Sequence, residues 1–360
     1  MKTYYMDKKT TLAIKGIALV MMFIHHFFTF PTWYVDGISY PGLANFARIM
    51  QTPLMMCVPI FAFLTGYAYF FNPNKNYKYS LRKITDLLIS YWMAYIPLLV
   101  IAVLLGCYQF NLIGVAKEMF ALNTPIMCFC WYVLFYVAVM LMFPVLARMA
   151  SGSLARDFIA IVILPAIAFA ILNRYIKVVD LIKWMPCVSM GYLVAKHSLF
   201  ENVFDKITAR LPKFAGYPIW ILAMAAAIFG RRFFPGTSLC LMDLWNKNLT
   251  IYINVDIVYA PLFIYGAANL IRSTKQFIWK IFIIIGESSM LMWFLHSGFF
   301  NVTRETMQPI LYWPRNPVLV VIFGLGICYL LARVINIPLK PLLKLKNKLL
   351  LGGKNKRESA

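Results

Sequence analysis

The chain predicts an all-α integral membrane protein: a polytopic helical bundle of about ten transmembrane helices, with both termini in the cytoplasm. Three observations carry this. Hydrophobic residues make up 62% of the 360 positions and charged residues only 13%, with a mean hydropathy of +0.72, whereas soluble domains carry roughly 25% charge. The apolar residues gather into runs close to the ~20 residues that a helix needs to cross hydrocarbon. The basic residues fall mainly in alternate connections, as the positive-inside rule requires.

Ten candidate spans follow in order: 12–30, 50–71, 84–106, 127–147, 157–173, 178–195, 216–230, 249–271, 276–300 and 317–337. The run at 157–173 is short, 178–195 contains Asp180 and Lys183, and 216–230 holds about fifteen apolar residues, near the lower limit for a span. With the N-terminus inside, the inner segments hold 22 Lys and Arg and the outer segments nine. An even number of spans then returns the C-terminus to the cytoplasm. The basic start followed by an apolar run imitates a signal peptide, but no small-residue cleavage site follows, so it reads as a retained span. No internal repeat or soluble domain is evident. Residues 1–340 form the membrane domain, and 341–360 form a basic cytoplasmic tail with glycines at 352 and 353.

A net charge of +22 in a soluble chain would point to nucleic acid. No basic face alternates with exposed aromatics here, so the charge reads as loops facing anionic membrane lipid, and nucleic acid is not an expected partner. The seven cysteines are scattered, and Cys128 and Cys130 lack the two-residue gap of common zinc or redox pairs. No disulfide framework and no metal site is expected.

The residues that lipid should exclude mark the candidate site. The first span carries Lys15, His25 and His26. Lys15 and His26 are eleven residues apart, close to three helical turns and about 16 Å, so one face offers a cation at its inner end and an imidazole farther out. Lys15 alone is equally read as snorkelling to the inner interface. Two imidazoles in one span have no packing rationale and point to function. His296 lies in the outer half of the ninth span, with Glu287, Ser288 and Ser289 two to three turns below it. Asn254 and Asp256 fall in the eighth span, and either the histidine pair or Arg231 could be the partner of Asp256. Arg82 and Lys83 stand at the cytoplasmic mouth, where they would hold a phosphate or serve as ordinary inner-loop charge. Trp131 and Tyr132 either join an interfacial aromatic belt or line the pathway.

The basic residue followed by His eleven positions on, PIFAFLTGY (59–67), the inner Arg82-Lys83, WYVLFY (131–136) and GESSMLMWFLHSGFF (286–300) together resemble the membrane-bound acyltransferase family three. The resemblance covers nearly the whole chain. It implies O-acetylation of cell-surface polysaccharide at the plasma membrane. The donor would be cytoplasmic acyl-CoA, most simply acetyl-CoA, as co-substrate without a metal, and the acceptor a hydroxyl of a glycan or lipid-linked sugar. The family's basic residue and histidine map to Lys15 and His26. The basic residue is here lysine rather than the commoner arginine, the inner cluster is reduced to Arg82-Lys83 with Asp86 nearby, and the doubled histidine makes His25 a competitor. On this reading the donor's phosphates lie near Lys15, Arg82 and Lys83, with Trp131 on the pathway. His26 is the general base, and His25, Glu287 and His296 are further catalytic candidates. Two rival functions are a transporter or flippase of polar glycans, which would show paired broken helices in two halves, and a polysaccharide polymerase, which would need a large outer loop.

Overall fold

A computed structural model describes residues 5–173, 175, 179–209, 216–241 and 249–351. Among the predicted loop charges, Lys2, Arg174, Lys177, Arg210, Lys213, Lys247, Lys354, Lys356 and Arg357 lie outside the described residues, as do the glycines at 352 and 353. The described chain is helical apart from one two-stranded ribbon. Its elements are α1 (Lys8–Phe28), α2 (Ala44–Leu54), α3 (Cys57–Phe71), α4 (Tyr77–Leu104), α5 (Leu112–Met119), α6 (Trp131–Met149), α7 (Leu154–Phe158), α8 (Leu164–Leu172), α9 (Val179–His197), α10 (Lys206–Thr208), α11 (Gly216–Phe233), β1 (Thr237–Leu241), β2 (Leu249–Ile253), α12 (Asp256–Ser273), α13 (Lys280–His296), α14 (Arg304–Leu311) and α15 (Pro317–Leu351). A wide π turn at Ile159–Ile163 joins α7 to α8 in one 19-residue rod.

Seven helical segments among the described residues are long and apolar enough to cross a membrane: Lys8–Phe28, Pro41–Phe71, Tyr77–Leu104, Trp131–Met149, Leu154–Leu172, Gln276–Phe299 and Pro317–Leu349. The other three expected spans are also helices, α9, α11 and α12, each 18 or 19 residues long. Their charged residues, among them Asp180, Lys183, Arg231, Asp256 and Arg272, dilute the apolar run. The span expected at 249–271 starts differently. Its first residues, Leu-Thr-Ile-Tyr-Ile, are β-branched or aromatic apart from the leucine and pair as β2 antiparallel to β1, Thr237 opposite Ile253. The helix begins only at Asp256. The basic stretch after Lys340 continues α15 as far as Leu351. The same helix exposes Val318, Ile322, Leu330, Val334 and Ile337, as a lipid-facing surface does.

The chain divides into two compact units. The first comprises residues 1–31, 40–79 and 141–287; the second comprises 32–39, 80–140 and 288–360. In the first unit, α3 lies along α9, α11 along α12, and α1 touches α2, α3 and α12. Glycines set how closely these helices approach. A Cβ on Gly66 of α3 would stand 1.8 Å from the Val188 carbonyl oxygen, and one on Gly191 of α9 would stand 2.0 Å from that of Phe63. The crossing of α1 with the start of α13 repeats the device: a Cβ on Gly16 would stand 2.0 Å from the Phe282 carbonyl oxygen, and one on Gly286 would stand 1.9 Å from that of Leu12. Such backbone contact replaces the hydrophobic drive that lipid cannot supply between apolar helices.

Polar side chains inside this unit are closed onto one another. Arg231 of α11 grips Asp256 with two bonds, Nε to Oδ1 at 2.7 Å and Nη2 to Oδ2 at 3.1 Å, and also donates to the Thr52 carbonyl. Asn254 accepts the Asp256 amide at 2.8 Å and donates to the Lys183 carbonyl. Farther along α9, Lys196 and His197 both bind the buried Asp157, which also accepts the Gly152 amide at 2.7 Å. At the N-terminus, Asp7 caps α1 by accepting the Thr10 amide at 2.7 Å. Burial pushes the Asp7 carboxyl up, but its bonds to Thr10 and the charges of Lys9 and Arg272 outweigh that, leaving it below the usual carboxylate range.

In the second unit, Asn111 caps α5 through the amides of Ile113 and Gly114. The buried Glu118 accepts the Tyr108 hydroxyl at 2.6 Å, and its carbonyl accepts that of Tyr91 at 2.9 Å. Burial pushes the Glu118 carboxyl up, and burial together with Glu118 pushes the Tyr108 hydroxyl up to about 12. Gln308 of α14 holds the short Thr32–Ser39 segment, donating to the Trp33 carbonyl at 2.9 Å and accepting the Val35 amide at 3.0 Å. Asp86 of α4 binds Lys346 of α15.

Thermal unfolding of the purified protein tests these features. Gly66→Ala, which forces α3 off α9, lowers stability by about 1–3 kcal/mol. Gly326→Ala has open space around its Cβ and is neutral or slightly stabilising. Arg231→Ala leaves the Asp256 carboxylate buried alone and costs about 3–5 kcal/mol, whereas replacing both partners with apolar residues recovers most of that loss.

Candidate active site

Lys15, His25, His26 and Glu287 belong to the first unit; Arg82, Lys83, Trp131 and His296 belong to the second. In the first unit both histidines occupy the last turn of α1, with ring centroids 5.2 Å apart. His25 is 4% exposed and turned back onto its own helix. The Thr29 hydroxyl donates to the His25 carbonyl at 2.6 Å, and its oxygen lies 3.1 Å from Nδ1 of the ring. A hydroxyl has one proton. With that proton given to the carbonyl, Thr29 accepts from Nδ1–H, and the lone pair of a neutral His25 sits on Nε2. The Phe30 ring stands edge-on to His25 at 5.0 Å. His26 is only partly covered and lies on the Lys15 face of the helix, as the eleven-residue spacing requires.

Neither histidine pairs with Asp256. Of the two partners open to that carboxylate, the structure chooses Arg231, whose charge is also within electrostatic range of His25. Asn254 and Asp256 stand at the junction of β2 and α12 rather than inside a long helix.

Glu287 is exposed and lines a cleft of about 480 Å³ between the start of α1 and the start of α13, together with Lys8, Lys9, Leu12, Gln276, Phe277, Lys280 and Ile283. Lys9 donates to the Gln276 amide oxygen at 3.2 Å. Among the described residues, Lys8, Lys280 and Glu287 form no ion pair within 4.0 Å.

In the second unit, His296 ends α13 and is fully buried. Its Nδ1 faces the Trp293 carbonyl, which can only accept, so Nδ1 carries the proton and Nε2 the lone pair. The ring stacks on Phe129, with centroids 5.2 Å apart and planes 9° apart. Trp131 opens α6 half-buried, beside Tyr132 and Phe135. Arg82 is exposed and Lys83 half-buried.

Sequence reading overlooked four residues that this geometry brings forward, Thr29, Lys8, Lys9 and Lys280. Thr29 was legible, because position i+4 from His25 is a helical neighbour. Lys8 and Lys9 pass as ordinary loop charge, and nothing local links them to Lys280. His197, the fourth histidine, is consumed by Asp157.

The family model described as an acyltransferase domain matches residues 4–335. Neither a curated protein nor a solved structure matches the chain. With a match over nearly its whole length and seven helical segments among the described residues able to cross a membrane, this chain belongs to acyltransferase family three.

Proposed function

We propose that the protein is a plasma-membrane O-acyltransferase that moves an acyl group, most simply acetyl, from cytoplasmic acyl-CoA to a hydroxyl of a cell-surface or lipid-linked glycan. One observation carries the choice of base: His25 is buried and tied to Thr29, whereas its neighbour His26 is partly exposed on the face that also bears Lys15. His26 takes the proton of the sugar hydroxyl as that oxygen attacks the thioester carbonyl. The carbon–sulfur bond breaks, the ester forms on the sugar, and the proton is returned to the CoA thiolate. A neutral imidazole near physiological pH suits this step. Lys15 steadies the donor's anionic end from α1. The roles given to Arg82, Lys83, Trp131 and His296, all in the second unit, rest on the sequence reading alone.

The loop charges orient this scheme, placing the N-terminus of α1 inside and the histidines toward the outer side. The test is release of free CoA from labelled acetyl-CoA by purified protein, measured with and without added glycan acceptor. Glycan-dependent release is expected. His26→Ala lowers it by about 100-fold or more, and His25→Ala, the removal of a locked neighbour, lowers it far less. Full activity in His26→Ala, or the larger loss in His25→Ala, would reassign the base.

A further inference from the structure

The cleft between α1 and α13 has a composition that the catalytic scheme does not use. Its rim carries three ammonium groups, Lys8, Lys9 and Lys280, and the amide of Gln276; its wall is Leu12, Phe277 and Ile283. Three cations around one opening repel each other unless an anion lies between them, and the described protein supplies only Glu287 there. The lysines come from chain segments more than 270 residues apart and meet because Gly16 and Gly286 let α1 and α13 touch backbone to backbone just beyond the cleft.

The face of α1 gives the cleft a direction. Lys8 and Lys15 are seven residues apart and Lys15 and His26 eleven, so Lys8 and His26 are separated by eighteen residues, five full turns of about 27 Å. Lys8, Lys15 and His26 therefore lie along one line of the helix, from the cleft toward the histidine.

We infer that this cleft is a binding site for a phosphoanion carried on an apolar tail: ammonium groups hold the phosphate, and the apolar wall takes the first part of the tail. Two ligands share that chemistry, the phosphate-bearing end of CoA and the headgroup of an anionic phospholipid. The CoA assignment rests on the donor reading above; the phosphoanion site itself does not. Lysine suits the task, because a point charge on a flexible stem accommodates either a phosphate monoester or a diester.

The experiment measures binding without turnover. The full-length protein is placed in phosphatidylcholine nanodiscs. Affinity for CoA is measured by calorimetry, and retention of added phosphatidylglycerol by native mass spectrometry. The Lys8→Gln/Lys9→Gln/Lys280→Gln variant, whose changes are all at exposed side chains, is expected to lose at least about tenfold in affinity for one of the two ligands. Glu287→Gln, which removes the one opposing charge, is expected to bind the same ligand more tightly. Loss of CoA binding assigns the cleft to the donor. Loss of phosphatidylglycerol with CoA binding unchanged assigns it to lipid and leaves the donor reading to stand or fall on the CoA-release assay. Unchanged binding of both ligands in a triple variant that keeps its unfolding temperature would overturn the inference.

Discussion

Backbone-to-backbone contact at four glycines sets the geometry on which the rest of the first unit depends. Between apolar helices in lipid, burial of side chains gives little net drive, so close van der Waals contact must hold the crossing. Gly66 and Gly191 let α3 and α9 meet at the carbonyls of Val188 and Phe63; Gly16 and Gly286 do the same for α1 and α13 at Phe282 and Leu12. Each crossing is reciprocal, a glycine of one helix against a carbonyl of the other. That fixes both the separation and the rotation of the helices. The rotation of α1 decides which of its residues face the cleft beside α13, and so where Lys8, Lys15 and His26 stand.

Polar groups in such an interior must find partners, and the partners show which groups are left for chemistry. Arg231, Asp256, Asn254 and the Thr52 carbonyl close one network. Asp157, Lys196, His197 and the Gly152 amide close another. His25 closes on Thr29 within its own turn. Each is an ionisable group in or beside an apolar helix, the pattern that by default marks a functional site, yet each is satisfied by protein. Lys8 and Lys280 of the cleft rim differ in this respect: among the described residues they form no ion pair within 4.0 Å.

The fold was largely legible because a membrane span is a local property. Twenty apolar residues form a helix wherever they are, and the expected spans all contain helices. The ribbon at Thr237–Leu241 and Leu249–Ile253 was missed because a short apolar run reads equally well as strand or buried helix until a pairing strand is known. The candidate site was legible in part for the same reason: the Lys15–His26 spacing is a statement about one helix, and so was the Thr29 position that went unread. The partner of Asp256 was left open between a histidine and Arg231, since an ion pair is decided by which helices cross.

By itself the sequence determined the membrane-helical class, the family resemblance and the single face that carries Lys15 and His26, because all three depend on composition, motif order and a period of 3.6 residues. Tertiary structure alone decided that Arg231 takes Asp256, that His25 rather than His26 is buried, and that Lys280 joins Lys8 and Lys9 around one cleft. The reason is geometric. Residues far apart in the chain become neighbours only where two helices approach, and here that approach is set by missing Cβ atoms at a few glycines, which no local pattern of polarity reveals.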